Sequence, residues 1–320
     1  MTTPISLAIV LCTFNRNDLL REALESLVTQ TIPDGVEAGV TVVDNSNDGA
    51  ARATVESFAG RWRIPVRWIE AHPPNISVAR NVGVAKTSEP FLVFLDDDET
   101  CEPGWFEALI AAMRACPADV LVGPVLSDYE RPDLATPATR QLFTRALDLP
   151  LGAPLYAYGP NKQTTISLAT NNAVFSRAAT LDETGPFDLA FGDGGGEDFD
   201  LFCRIQQRGR SVRWMPDAKV RARVSATRCD PVYQRKRAFA GGQAYAAAIA
   251  RLSARPLLER WRLRAVAAVQ LALLTMRAPL AWAKGGHDAA DHASRVAGVL
   301  GKLSFGGIFP LYRANDPRSG

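Results

Sequence analysis

The chain is 320 residues long, 47% hydrophobic, and carries a formal net charge of +2. That length allows one large domain or two modest ones, and so even a charge balance excludes a global nucleic-acid-binding signature. Five scattered cysteines without a CxxC pair exclude a disulfide framework and a zinc site, and read as reduced thiols in a cytoplasmic protein.

The first apolar run, ISLAIVLC, is β-branched and continuous, as in a strand buried on both faces. It is short, has no basic segment before it and ends in TFNRND, so no cleaved signal peptide is expected. NDLLREALESLVTQ then places Leu20, Ala23, Leu24 and Leu27 at helical spacing. GVTVVDN and IPVRWIE read as strands two and three, ISVARNVGVAK as a helix, and FLVFL as strand four. PGWFEALIAAMRAC places Pro103 in the first turn of a helix, where proline is tolerated. DVLVGPVL reads as one further strand. Alternation up to about residue 126 predicts an α/β fold, a mostly parallel sheet with helices on both faces.

In such sheets ligands bind beyond the carboxyl ends of the strands. TFNR, VDNSND and DDDE follow strands one, two and four directly, so three polar clusters share one rim. Three adjacent aspartates repel one another unless positive charge sits among them. Asp96 and Asp98, alternate residues leaving an extended segment, are expected to converge, with Asp97 turned inward or away. Such a pair suits Mg²⁺ or Mn²⁺ completed by water and phosphate oxygens. A solvated acidic turn is the other reading.

A second acidic cluster is FGDGGGEDFDLFCRIQQRGR. Gly194 to Gly196 suit a backbone that moves or approaches a ligand closely. Glu197 and Asp198 open a helix carrying Phe199, Phe202 and Ile205. Carboxylates there either complement the helix N-terminus or supply a general base to an incoming hydroxyl.

In order and spacing, VLCTFNRNDLLREALESL, VVDNSND, NISVARNVGVAK, FLVFLDDDE and GGGEDFDLFCRIQQRG resemble glycosyltransferase family 2, across roughly residues 5 to 235. The resemblance implies the nucleotide-sugar-binding GT-A fold. It also implies a single in-line displacement with inversion, assisted by Mg²⁺ or Mn²⁺. The donor would be a nucleotide-sugar, and the acceptor a glycan or lipid-linked saccharide in bacterial surface polysaccharide or glycoconjugate synthesis. Carried onto this chain, it puts Thr13, Asn15 and Arg16 in the nucleotide pocket, Asp44 at the base edge, and Arg80 beside the nucleotide and the aspartates. Asp96 would face the ribose side with Asp97 next to it, and Asp98 would be the main metal ligand together with Asp96. Asp198 would be the catalytic base and Glu197 would contact the acceptor. ATNNAVFSR, Ala169 to Arg177, resembles the acceptor-side segment. The ordinary alternatives are helix capping for Thr13 and Asn15 and surface ion pairs for the arginines.

The chain departs from the family pattern in one respect. Many relatives carry a metal-shell histidine some two dozen residues after the Glu-Asp pair, and WMPDAKVRARVSATRCD has none. His72, His287 and His292 read as surface residues. The metal would then rest on Asp98, diphosphate and water. Arg221, Arg223 or Arg228 would either reach the phosphates or form a solvated basic strand.

The expected organisation is a catalytic domain over residues 1–235 and a helical region over 236–320. Within the domain, the nucleotide-binding part runs to about 126 and the acceptor side from about 127. In the helical region Ala265 to Ala283 is nearly apolar, interrupted by Gln270, Arg277 and Pro279 and preceded by Arg260, Trp261, Arg262 and Arg264. This segment suits helices lying on the anionic inner face of the cell membrane, helices packed on the catalytic domain or a second copy of the chain, or a span. Two other functions stay open. One is a metal-dependent nucleotidyltransferase, against which stands the lack of a GxxxxGK[ST] loop. The other is a non-catalytic, membrane-associated binding subunit, against which stand Asp98 and Asp198.

Overall fold

Alternate residues of the first strand, β1 (Ile5–Thr13), enter two separate cores: Leu7, Ile9 and Leu11 one, Ala8 and Val10 the other. The strand is apolar throughout because helices cover both its faces. The computed structural model describes residues 4–163 and 166–312. After β1 come α1 (Asn17–Val28), β2 (Val36–Asp44), α2 (Arg52–Glu56), β3 (Val66–Glu70), α3 (Ile76–Ala85), β4 (Phe91–Asp96), β5 (Glu99–Cys101) and α4 (Trp105–Ala115). Next are β6 (Val120–Val122), β7 (Val125–Tyr129), α5 (Pro137–Phe143), β8 (Ala173–Ser176), α6 (Arg177–Thr180), α7 (Glu197–Gln207), β9 (Val212–Trp214) and β10 (Val220–Val224). The chain continues through α8 (Ala226–Cys229), α9 (Pro231–Leu252), α10 (Pro256–Lys284) and α11 (Gly286–Leu303).

The central sheet has the order β3-β2-β1-β4-β8-β6-β9 and is parallel except for β8. Its register levels the strand ends: Thr13 pairs with Asp44, Asp44 with Glu70, and Cys12 with Asp96. The three polar clusters therefore share one edge, as their positions after the strands predict. One face is closed by α1 and by Trp105 and Phe106 of α4, the other by Leu201, Phe202 and Ile205 of α7.

Two local expectations are corrected. DVLVGPVL is two strands, because Pro124 lacks the N–H a ladder needs. β6 stays in the central sheet, while β7 leaves it for a small sheet ordered β5-β10-β7. Pro103 lies ahead of α4, which starts at Trp105 behind Gly104 at φ 80°.

The C-terminal helices begin earlier than residue 235. Pro231 opens α9, and the Asp230 carboxylate accepts the N–H groups of Val232 and Tyr233 at 2.8 and 3.1 Å. α9 packs on α7 and, along most of its length, on α11. The α9–α11 contact is backbone to backbone. A Cβ at Gly242 would collide with the Gly298 carbonyl, and one at Gly301 with the Phe239 carbonyl, whereas one at Gly241 would meet nothing. In an exposed helix, Gly→Ala is worth about 1 kcal/mol of added stability. Gly241→Ala should therefore raise the unfolding midpoint. Gly242→Ala should lower stability by about 1–3 kcal/mol through overpacking, and urea unfolding of the two variants side by side checks the opposite signs.

Candidate active site

The turn after β4 sends its carboxylates in different directions. Asp97 turns inward and accepts from Thr13 Oγ1 at 2.8 Å and Arg16 at 3.2 Å. Asp98 accepts from Arg228 at 2.9 Å and from Arg16 at 3.5 Å. Asp96 opens into a cavity, with 44% of its side chain accessible and Arg80 at 3.8 Å. Glu99 closes the turn from below, accepting the Asp96 N–H at 3.1 Å and the Asn171 amide at 2.6 Å. Four consecutive acids are tolerable here because three arginines stand among them.

Arg80 joins this turn to the second acidic cluster. It projects from α3, whose N-terminus is capped by Asn75, and it is buried. Its guanidinium pairs with Glu197 and, at 2.9 Å, with Asp198. Asp198 also accepts from Thr170 at 3.0 Å. The N-cap of α7 is Gly196 at φ 107°, and neither acid caps the helix through its side chain. The second Glu197 oxygen is buried without a hydrogen-bond partner.

Burial sets the electrostatics. It pushes the Glu197 carboxyl up to about 7, with Asp198 adding to the rise and Arg80 opposing it. Asp96 faces the cavity, and burial within the surrounding protein raises it to about 6 against the pull of Arg80. Glu99 rises well above its usual range, first through burial and then through Asp96. Burial lowers the Arg145 guanidinium to about 10, although Glu99 and Asp96 work in the other direction.

These groups line a cavity of about 770 Å³. Thr13, Arg16, Arg80, Asp96, Asp97, Asp98, Glu197 and Asp198 all reach its wall. Asn15 and Asp44 do not. Asn15 is exposed at φ 54° on the turn before α1. Asp44 is fully buried and accepts from the Ser46 N–H and hydroxyl at 3.0 and 2.6 Å, the Ala51 N–H at 2.8 Å and Trp68 Nε1 at 3.2 Å. Burial works against its charge, but those donors outweigh it and hold Asp44 below the usual carboxylate range. Its neighbour Asn45 lines the cavity instead.

Of the three arginines near the missing histidine, Arg221 and Arg223 form exposed ion pairs with Glu102, Asp128, Glu22 and Glu130. Arg228 alone of the three enters the cavity. His292 is buried on α11, not a surface residue. The glycine run is explained by the chain itself. A Cβ at Gly194 would collide with Ile308, and one at Gly196 with Ala244 of α9.

Sequence reasoning missed Arg145, which donates to the Gly123 carbonyl at 2.8 Å and Asn171 Oδ1 at 3.2 Å. It also missed the roof of the cavity, formed by Arg237, Tyr245 and Arg295 with Tyr312. No motif or spacing marks these residues. Among the described residues no three His, Cys, Asp or Glu side chains gather to hold a metal. Asp96 opens into the cavity, whereas Asp98 is paired with Arg16 and Arg228.

A mostly parallel mixed sheet covered by helices on both faces is the architecture of a GT-A glycosyltransferase. Residues 8–180 match the model of glycosyl transferase family 2, and the chain belongs to that family. It is 29% identical over 296 residues to the succinoglycan biosynthesis protein ExoM of Rhizobium meliloti, covering 91% of each chain. It is 31% identical over 176 residues to the pre-mycofactocin glycosyltransferase of Mycobacterium tuberculosis, which is 54% of this chain and 35% of that protein. Its fold resembles S. aureus TarS 1-349 in complex with UDP, with a TM-score of 0.52 at 18% identity over 92% of this chain and 90% of that one.

The raised Glu197 carboxyl has a consequence for stability. The folded state holds its proton up to about pH 7, whereas the unfolded chain releases it near 4.5. Stability should therefore fall as pH rises through that window. Glu197→Gln should flatten the fall, and thermal unfolding of both proteins from pH 4.5 to pH 7.5 measures it.

Proposed function

We propose that the chain transfers a sugar from a nucleotide-sugar donor to an acceptor hydroxyl by single displacement with inversion. The observation that carries this reading is the convergence of Asp96, Asp98 and Asp198 on one cavity at the carboxyl edge of the sheet. Asp198 serves as the base, held by Thr170 and Arg80. Glu197 orients the acceptor. Thr13, Arg16 and Arg80 shape the donor side, and Arg228 meets the diphosphate once it leaves Asp98. Asp44 and Asn15 act at one remove, through the loops that carry Asn45 and Arg16.

Asp98 and Asp96 would hold Mg²⁺ or Mn²⁺ together with donor phosphates. Bound there, the ion would offset the charge that grows on the departing diphosphate. The likeness to a succinoglycan biosynthesis protein over nearly the whole chain supports a role in bacterial polysaccharide or glycoconjugate synthesis.

Peripheral contact with the inner face of the cell membrane is part of this reading. α10 has 29 residues and a mean hydropathy of 1.4 over its best stretch, apolar and long enough to cross a membrane. Its outer face exposes Val269, Met276, Leu280 and Trp282, and Arg260 and Arg262 flank it. Its internal Arg277 and Pro279 favour lying at the surface over spanning. Met276→Glu with Leu280→Glu should abolish flotation with anionic liposomes at low salt. Flotation unchanged would remove the membrane from this reading.

Sugar-dependent release of nucleoside diphosphate from a panel of sugar nucleotides tests the reaction itself, and pyrophosphate release instead would indicate nucleotidyl transfer. Asp198→Asn keeps the shape and removes the basicity, so kcat should fall by about a hundredfold or more with donor binding intact. Asp98→Ala should abolish metal-dependent nucleotide binding in a thermal-shift assay. Wild-type turnover in excess EDTA would count against the metal.

A further inference from the structure

Arg145 is buried at the wall of the active-site cavity and spends its charge on backbone. It donates through Nε to the Gly123 carbonyl at 2.8 Å, through Nη1 to the Ala169 carbonyl at 3.4 Å and Asn171 Oδ1 at 3.2 Å, and through Nη2 to the Asn171 carbonyl. A guanidinium has five N–H groups, and none of these four bonds goes to a carboxylate. Its own backbone is fixed where the two sheets part, exchanging N–H bonds with Val125 at 2.8 and 2.9 Å. Burying a cation is costly unless an anion is paired with it, and burial does lower this guanidinium to about 10. What the clamped carbonyls flank gives the arrangement its meaning.

They flank Thr170. That residue is fully buried, and its hydroxyl donates to Oδ1 of Asp198 at 3.0 Å. Arg80 approaches the same oxygen at 2.9 Å. Both contacts fall on one side of the carboxylate, so Oδ2 is the oxygen offered to the cavity. The far end of the segment is fixed as firmly. Asn172, at φ 47°, donates to the Pro124 and Ala218 carbonyls at 2.7 and 2.8 Å and accepts from Trp105 Nε1 at 2.9 Å. Arg80 by itself does not choose between the two oxygens, because a guanidinium readily takes both at once. The Thr170 hydroxyl is a single donor held in one place, and it selects one of them.

We propose that Arg145 is a positioning residue for the proton transfer. By clamping the carbonyls on either side of Thr170, it aims the Thr170 hydroxyl at Oδ1 of Asp198 and keeps Oδ2 facing the acceptor. Without the clamp or the hydroxyl, the carboxylate turns toward Arg80 and closes both oxygens in an ion pair. No basic oxygen then stands in line with the acceptor hydroxyl, and a misplacement of about 1 Å costs up to about a hundredfold in rate. This rests on the transferase reading with Asp198 as base, and it names the group that aims that base.

The test follows nucleoside diphosphate release by the full-length protein from a sugar nucleotide that the wild type turns over, well below the unfolding midpoint of every variant. Thr170→Val nearly keeps the shape and removes the hydroxyl, so kcat should fall about tenfold or more with donor KM within about twofold. Thr170→Ser returns the hydroxyl and should restore most of the rate. Arg145→Lys keeps the charge but loses the fork, and it should reproduce the Thr170→Val loss; Arg145→Gln, which removes the charge and keeps a donor, gives an independent reading. Thr170→Val added to Asp198→Asn should leave kcat within about twofold of Asp198→Asn alone, since no base remains to be aimed. A merely structural role predicts the opposite: the two losses multiply, or only the urea midpoint falls while kcat stays at the wild-type value. Multiplying losses, or wild-type kcat in Thr170→Val, overturns the aiming of Asp198, and wild-type kcat in both Arg145 variants overturns the part of Arg145. A wild type that releases no nucleoside diphosphate from any sugar nucleotide would instead overturn the transferase reading.

Discussion

The structure depends on one buried cation. Arg80 sits beneath the cavity with Glu197, Asp198 and Asp96 around its guanidinium, so α3, α7 and the end of β4 are tied at one point. Removing such ions from water costs several kcal/mol each, and attraction offsets the loss only when every partner is in place. Neither half of the rim can therefore form its final geometry without the other. Asp96, Asp97, Asp98, Glu99, Glu197 and Asp198 face Arg16, Arg80, Arg145 and Arg228. Lys162, Arg237 and Arg295 add positive charge to the cavity wall. Part of the negative charge is absorbed by protons, since burial raises Glu99, Glu197 and Asp96.

The C-terminal helices are part of the site. Glycines at 242 and 301 let α9 and α11 touch along their backbones, and the pair then roofs the cavity with Arg237, Tyr245 and Arg295. The same approach explains the glycine run before Glu197. Ile308 and Ala244 occupy the space that side chains at 194 and 196 would need. Tyr312 adds a clamp, donating its N–H to the Asp193 carbonyl at 2.7 Å and accepting from Arg237 at 2.6 Å. Movement of α9 or of residues 308–312 would thus move the loop that leads into Glu197 and Asp198.

What could be read from the sequence follows from how local each feature is. β1, α1, β4 and the acidic rim are legible because hydrophobic period and strand-end position are local properties. The split of DVLVGPVL was signalled by Gly123-Pro124, but a run that apolar on both sides conceals a change of sheet. Asp44 lies off the cavity wall, which a strand-end position alone does not reveal because it does not say which way a side chain turns. Its donors, Ser46, Ala51 and Trp68, come from a turn and a neighbouring strand. Arg145 and the glycine run were illegible for one reason: their partners lie far along the chain or across the fold. The apolar character of α10 was plain, but not that α9 and α11 would leave its outer face uncovered.

The adjacent acids Glu197 and Asp198 have separate roles open to them because the helix turns them apart. Neighbouring side chains at a helix start point about 100° apart, and here only Arg80 is shared. Asp198 keeps 17% of its side chain accessible to the cavity and Glu197 only 7%. A base must reach the hydroxyl whose proton it takes, which favours Asp198. Glu197 is held by Arg80 through one oxygen and has the other buried and unpartnered. With burial raising it to about 7, that oxygen can carry a proton near neutral pH. It is shut off from the cavity, so the Glu197 side chain would have to rotate before that proton could meet a ligand, whereas Asp198 already faces the open space.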